Sequence, residues 1–181
     1  MAQMGLLAWV TVIAGVVAVE CSVMLYVVTG RPLWSAVRTH SLFFLTAVVL
    51  GLASSILIVA AVGESGATAM RWLSAALVVA TGVKLATELN LLKHLKSDES
   101  TPEKLSAQSL VSEKQSHGYS RLAVAAVGGV LVPLLLALGL CSANAVLPAA
   151  GVLACVFAGE VIERYLFFAV SNARRMPGAP N

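Results

Sequence analysis

Residues 122–159 read LAVAAVGGVLVPLLLALGLCSANAVLPAAGVLACVFAG and contain no charged side chain. A helix that crosses a bilayer needs about 20 mostly apolar residues, because every backbone polar group in hydrocarbon must be hydrogen-bonded within the segment. This run is almost twice that length. Ser142, Asn144 and Pro148 interrupt it near its middle and are typical of a turn. The run therefore predicts two membrane helices, at about residues 122–141 and 145–170.

Three further apolar stretches precede this run, at about residues 5–28, 41–63 and 72–92. Each is long enough to cross a bilayer. Residues 93–120 are rich in charged, Ser, Thr and Gln side chains, and we expect them to form a soluble connecting loop. The sequence therefore predicts an all-α integral membrane protein, with residues 1–181 forming one domain of about five transmembrane helices.

The composition of the whole chain agrees with this fold class. Of 181 residues, 59% are hydrophobic and 12% are charged. Soluble globular domains have about 45–50% apolar and about 25% charged residues, so an ordinary cytoplasmic enzyme is excluded. A disordered chain or a nucleic-acid-binding protein is also excluded, because both need dense charge. The lipid bilayer is the predicted environment.

The distribution of basic residues predicts the orientation. With five spans, the loops after the first and third helices and the C-terminus lie on one side of the membrane. That side carries Arg31, Arg38, Lys93, Lys96, Lys104, Lys114, Arg121, Arg174 and Arg175. The opposite side carries only Arg71, whereas Lys84 and Arg164 lie within spans. By the positive-inside rule, we expect the N-terminus outside and the C-terminus in the cytoplasm, in the cytoplasmic (inner) membrane.

Charged side chains within the predicted spans are the candidate functional residues, because each is unfavourable in hydrocarbon unless it is paired or hydrated. They are Glu20, Lys84, Glu88, Glu160, Glu163 and Arg164. Spacing of four residues predicts ion pairs along one helix, Lys84 with Glu88 and Glu160 with Arg164. Glu20 has no base at helical spacing, so we expect it to stay ionised only if Lys84, Arg164 or water reaches it from another helix.

Two interpretations of these charges stay open. In the first, the ion pairs fix the packing of the helices and touch no ligand. In the second, the charges line a hydrated substrate pocket or a proton path, with Glu20 or Glu163 as the carboxylate that lacks a local partner. The adjacent Gly128 and Gly129 are interpreted as positions of close helix packing rather than of binding.

No motif for catalysis or metal binding stands out, so no catalytic and no metal-ligating residue is predicted. The three cysteines are far apart and form no CxxC pair: Cys21, Cys141 and Cys155. The three histidines fall in predicted loops or at a helix edge: His40, His94 and His117. An intramembrane haem needs axial ligands inside the bundle, so a cytochrome b is not expected. Any cofactor of a redox function would belong to a partner.

Two stretches of the sequence have a recognisable pattern. The first is FAGEVIERYLFF at residues 157–168, followed by Met-Pro-Gly at 176–178. The second is MLYVVTGRPLW at residues 24–34, which continues through FFLT at 43–46 to Gly51. Both stretches resemble the dimethyl sulfoxide reductase membrane-anchor family, and Gly159, Glu160 and Arg164 match the Gly-Glu…Arg pattern of that family's last helix.

The resemblance implies a non-catalytic subunit of a quinol-linked oxidoreductase. Such a subunit anchors a molybdopterin catalytic subunit and an iron–sulfur subunit, and it presents quinol or menaquinol at an interface. The molybdopterin and the iron–sulfur clusters lie in those partners, and the anchor itself binds no cofactor of its own. Family members usually have more spans than the five predicted here.

Two alternatives remain beside this one. The first is a small transporter or ion-translocating subunit that uses Lys84, Glu88, Glu160 and Arg164 as a relay. The second is a truncated anchor with a role in assembly only.

Overall fold

The computed structural model describes residues 2–29, 34–63, 67–93, 115–140 and 145–171, and these are almost entirely helical. The elements are α1 (Ala2–Val27), α2 (Ala36–Val62), α3 (Ala67–Lys93), α4 (Gln115–Val124), a π-helical segment (Ala125–Leu131), α5 (Val132–Ala137) and α6 (Val146–Ser171). We call Ala125–Leu131 the π segment. α4, the π segment and α5 follow one another without a break and supply the fourth span, Tyr119–Ala137.

Within the described residues, five helices are long and apolar enough to cross a membrane. The structure has no strand in these ranges. The predicted fold class, an all-α membrane protein with five spans, is therefore confirmed. Hydropathy alone suffices for this result because a spanning helix must satisfy its own backbone hydrogen bonds.

The helix ends differ from the predicted ones, because hydropathy locates the apolar part of a helix and polar residues can extend it. α2 begins at Ala36 rather than at residue 41, and α4 begins at Gln115, inside the predicted loop 93–120. The fourth span ends at Ala137 rather than at residue 141, and Gly139 then has a φ of +74°. Glycine tolerates this left-handed conformation, which ends the helix.

Some predicted features lie outside the described residues. They are residues 94–114 of the predicted loop and Ser142 and Asn144 of the predicted turn. Pro148 lies in the first turn of α6, where the missing N–H removes no helical hydrogen bond.

The chain divides into two compact units, Met1–Ala47 and Val48–Asn181. In the first, the Tyr26 ring packs edge-on against Trp34 with ring centroids 5.2 Å apart, and against Phe43 at 5.5 Å. Trp34 is buried, as is Val23 on α1. These aromatic contacts join the end of α1 to the start of α2.

The core of the second unit is a cluster of buried aliphatic side chains from four helical elements. Its members are Val49, Ala53 and Ile56 of α2, Leu77 of α3, Leu136 of α5, and Ala149, Val152 and Val156 of α6. Their spacing of three and four residues places each set on one helix face. Burial of these faces against one another positions α3, the fourth span and α6.

Two glycines of the π segment allow the fourth span to approach its neighbours closely. A Cβ atom at Gly128 would collide with the Cβ of Cys155 on α6, and one at Gly129 would lie 2.6 Å from Cγ2 of Thr81 on α3. Both glycines are buried. The interpretation of these glycines as positions of close helix packing is confirmed.

Candidate functional site

The buried face of α6 changes from apolar to acidic along its length. Ala149, Val152 and Val156 belong to the core, and the next two positions on that face are Glu160 and Glu163. Both carboxylates are buried, with Glu160 5% and Glu163 8% exposed, so bulk water does not solvate them. Carboxylates in such a place need cationic partners.

Lys84 of α3 supplies one such partner. It follows the buried Leu77 and Thr81 on the same helix face, and only 1% of its surface is exposed. Its Nζ donates a hydrogen bond to Oε2 of Glu160 and lies 2.7 Å from Oε2 of Glu163. One ammonium group is therefore shared by two carboxylates and joins α3 to α6.

Arg121 of α4 supplies the second partner. Its Nη2 donates hydrogen bonds of 2.9 Å to Oε1 of Glu88 and to Oε2 of Glu163. Oε1 of Glu160 lies 3.8 Å from the same nitrogen. We call Lys84, Glu88, Arg121, Glu160 and Glu163 the ion-pair cluster. It joins three helices at the end where α3 ends, the fourth span begins and α6 ends.

The recorded ion pairs differ from those predicted by helical spacing. Lys84 was expected to pair with Glu88 of its own helix, but it pairs with α6, and Glu88 pairs with Arg121 of α4. Glu163, expected to lack a local partner, has two. Long side chains buried between helices reach the neighbouring helix as readily as their own. Arg164 lies half-buried on α6, and its pair with Glu160 stays a prediction.

Arg121 is the functional residue that sequence reasoning missed. It was counted among the loop residues because the residues before it are polar, whereas it is 6% exposed and belongs to a membrane helix. One feature of the sequence could have indicated that Arg121 lies on the packed face of a helix. Arg121 stands one helical turn before the small residue Ala125, and the buried Gly128 follows on the same side.

A small recess lies beside the ion-pair cluster. Its lining comes from α2, α3, α4, the π segment and α6, and includes Thr81, Lys84, Arg121, Gly129 and Glu160. Its free volume has room for about one water molecule. Two of the residues that line it carry a buried polar atom without a hydrogen-bond partner in the described part of the chain: Oγ1 of Thr81 and Nε of Arg121.

Glu20, the remaining predicted acid, lies in the first unit and has a partner of its own. Its Oε1 is 3.0 Å from Nε2 of His40 on α2. The partners expected for Glu20 were Lys84, Arg164 or water, and His40 was not among them. It was overlooked because α2 begins at Ala36, which places His40 inside the helix rather than at its edge.

The Glu20–His40 pair holds one proton between its two groups. Nδ1 of His40 lies 2.6 Å from the carbonyl oxygen of Ala36, which can only accept, so Nδ1 carries a hydrogen. A hydrogen bond between Nε2 and the carboxyl oxygen needs a second proton, on either the imidazole or the carboxyl group. The two side chains are 34% and 41% exposed, so the pair is only partly buried.

Comparison with known proteins identifies the family. A model of the family described as "DMSO reductase anchor subunit (DmsC)" matches residues 2–170, nearly the whole chain. The chain belongs to the DmsC family. No match was found among curated proteins or among solved structures.

The resemblance found in the sequence is thus confirmed, and the protein is a membrane anchor subunit of a DMSO reductase-type complex. Membership of the DmsC family implies catalytic and iron–sulfur partner subunits and a multi-pass membrane location. Among the residues that the structure describes, no group of three or more His, Cys, Asp or Glu side chains could hold a metal ion.

The DmsC-like Gly-Glu step at residues 159–160 has a clear geometry. Glu160 belongs to the ion-pair cluster, and Gly159 is buried beside Arg121. A Cβ at Gly159 would lie 3.4 Å from Nη1 of Arg121. Gly159 therefore leaves room for the guanidinium group of Arg121 next to the carboxylate of Glu160.

Proposed function

We propose that this DmsC-family anchor holds a molybdopterin catalytic subunit and an iron–sulfur subunit at the cytoplasmic membrane and passes them electrons from quinol or menaquinol. Quinol oxidation releases two protons and two electrons. In this proposal the electrons go to the iron–sulfur clusters of the partner subunit. The protons need acceptors near the membrane-embedded headgroup.

The observation that carries the quinol role is the Glu20–His40 pair. Its atoms lie within two apolar spans, yet a third or more of each side chain is exposed. With Nδ1 of His40 donating to Ala36, the hydrogen-bonded pair already holds one proton between Nε2 and the carboxyl group; once it has released that proton, the pair can accept another from quinol at the same place. General acid–base catalysis needs such a group within hydrogen-bond reach of the reacting hydroxyl.

The ion-pair cluster supports the anchoring role. Pairs among buried charges on α3, α4 and α6 fix the rotation of each helix, because a rotated helix would leave a charge unpaired in hydrocarbon. A rigid bundle of this kind offers a constant surface to the partner subunits.

Glu20→Gln tests the quinol role. The substitution keeps the size and hydrogen-bonding reach of the side chain but cannot exchange a proton. In the assembled complex, we expect quinol-dependent turnover to fall by about 10²-fold, the lower end for loss of an acid–base group. Turnover with a soluble artificial donor, measured on the same membranes, should stay as in the wild type.

Glu64→Gln is the matched control, because it is the same substitution outside the predicted spans and should leave both activities unchanged. Two results would contradict the proposal. One is wild-type quinol-dependent turnover in Glu20→Gln. The other is an equal fall in both activities, which would mean that Glu20 serves assembly alone. Attachment of the partner subunits to membranes, with and without this chain, tests the anchoring role separately.

A further inference from the structure

The Glu20–His40 pair lies near one end of each of the two helices that carry it. Along the helix axes, Glu20 is about 10 Å from Val27, where α1 ends, and His40 is about 6 Å from Ala36, where α2 begins. The other ends of α1 and α2 are about 27 Å and 33 Å from the pair. Residues 28–35 join α1 to α2, so both short distances lead to the same side of the membrane, which we call the connection side.

Ionisable side chains of α1 and α2 are found on only one of these two ways to the aqueous phase. Residues 2–19 of α1 and residues 41–62 of α2 contain no acidic, basic, cysteine, histidine or tyrosine side chain. Toward the connection side, the sequence has the phenol of Tyr26 and the basic residues Arg31 and Arg38. A charge in hydrocarbon is unfavourable, and proton paths through membranes use ionisable side chains or water. Along α1 and α2, a proton therefore has a short way to the connection side and a long apolar way to the other side.

We infer that the Glu20–His40 pair exchanges its proton with water on the connection side, so that the protons of quinol oxidation are released there and not on the side of the α2–α3 loop. The inference rests on the proposed quinol role and adds a direction to it. The predicted orientation of the chain makes the connection side the cytoplasmic one. Quinol oxidation by this chain would then add no protons to the outer side of the membrane.

The transfer conserves protons and electrons. Each quinol that is oxidised to quinone loses two O–H protons, and its two electrons pass to the iron–sulfur clusters of the partner subunit. The pair first gives the proton held between Nε2 of His40 and the carboxyl group of Glu20 to water, and then accepts one from the quinol hydroxyl at the same place. Two such cycles per quinol return the pair to its starting state, with two protons released on the connection side.

Proton release by the assembled complex in sealed lipid vesicles tests the inference. A Ser65→Cys variant carries its cysteine between α2 and α3, so its reaction with a membrane-impermeant thiol reagent shows which side faces outward. Ferricyanide, which accepts electrons without protons, is present on both sides, and pH-sensitive dyes report the external and internal solutions separately. Vesicles without the complex give the rate of the uncatalysed reaction. With the connection side outward, we expect two protons per quinol to appear in the external solution first.

Glu20→Gln links the released protons to the pair, because it should slow proton release and quinol oxidation together, by about 10²-fold. Glu64→Gln is the matched control. It removes the acid of the α2–α3 loop and should change neither the rate nor the side of release.

Release on the side of position 65 would overturn the inference, and the quinol role would still stand if Glu20→Gln slowed the oxidation. Unchanged oxidation in Glu20→Gln would contradict both the inference and the quinol role. If Glu20→Gln does not assemble, the side on which the wild type releases its protons decides alone.

Discussion

At the scale of single residues, Arg121 is the side chain on which the ion-pair cluster depends most. Its planar group donates from one nitrogen to Glu88 of α3 and to Glu163 of α6. If Arg121 were replaced by an apolar residue, Lys84 would be the remaining cation of the cluster, and Glu88 would lose its ion pair with Arg121.

Arg121→Leu is expected to destabilise the protein by roughly 3–5 kcal/mol, the usual effect of removing one partner of a buried charge pair. Thermal unfolding of the purified complex in detergent measures the change. Arg71→Leu is the control, because Arg71 is exposed and its loss should shift the unfolding temperature little. Equal shifts in the two variants would show that Arg121 is not held in a buried cluster.

Only part of the candidate site could be predicted from single residues. Glu20, Lys84, Glu88, Glu160 and Glu163 were found because a charge within an apolar run is conspicuous. Their partners were not, because an ion pair between helices depends on how the helices are rotated, and one sequence does not contain that information. His40 and Arg121 were overlooked for a further reason. Each lies near the start of a helix, and the hydropathy pattern predicts these helices to begin several residues later than they do.

At the scale of elements, the fourth span is the least regular and the most tightly packed. The π segment brings Gly128 against Cys155 of α6 and Gly129 against Thr81 of α3. The pair of glycines predicted this close approach. The π-helical hydrogen bonding was not predicted, because seven apolar residues of this kind are compatible with an ordinary α-helix.

Gly128→Ala should therefore destabilise the bundle, by about 1–3 kcal/mol for an overpacked core position. The added methyl group would collide with the Cβ of Cys155. The yield and unfolding temperature of the purified complex measure the effect. Gly82→Ala is the control, because a Cβ there has nothing within 4 Å. Adding Cys155→Gly to Gly128→Ala should recover much of the loss, and failure to do so would contradict the packing argument.

At the scale of the whole molecule, family membership and the five spans agree with each other. Both rest on long-range features of the chain, the match over residues 2–170 and the length of each apolar helix. The orientation rests on the distribution of basic residues, with nine on the predicted cytoplasmic side, one of which is the buried Arg121, and one on the other. It remains a prediction that labelling can decide.

Single cysteines at Ser109 and Ser65, in a chain without its native cysteines, should label from opposite sides of the membrane. Both positions lie outside the described residues, between α3 and α4 and between α2 and α3. A membrane-impermeant thiol reagent added to intact cells should modify the cysteine at position 65 and not the one at 109, because loops rich in Lys and Arg stay in the cytoplasm. Labelling at position 109 and not at position 65 would show that the orientation is the opposite of the predicted one.

The π segment also has a consequence for tolerance to changes in chain length. Each of its turns closes over one residue more than an α-helical turn, so the segment accommodates about one extra residue while the helix on either side keeps its rotational phase. A one-residue deletion within 125–131 could be absorbed as ordinary α-helix, leaving Arg121 aimed at Glu88. The same deletion in α3 between Leu77 and Lys84 would turn Lys84 by about 100° and carry it away from α6.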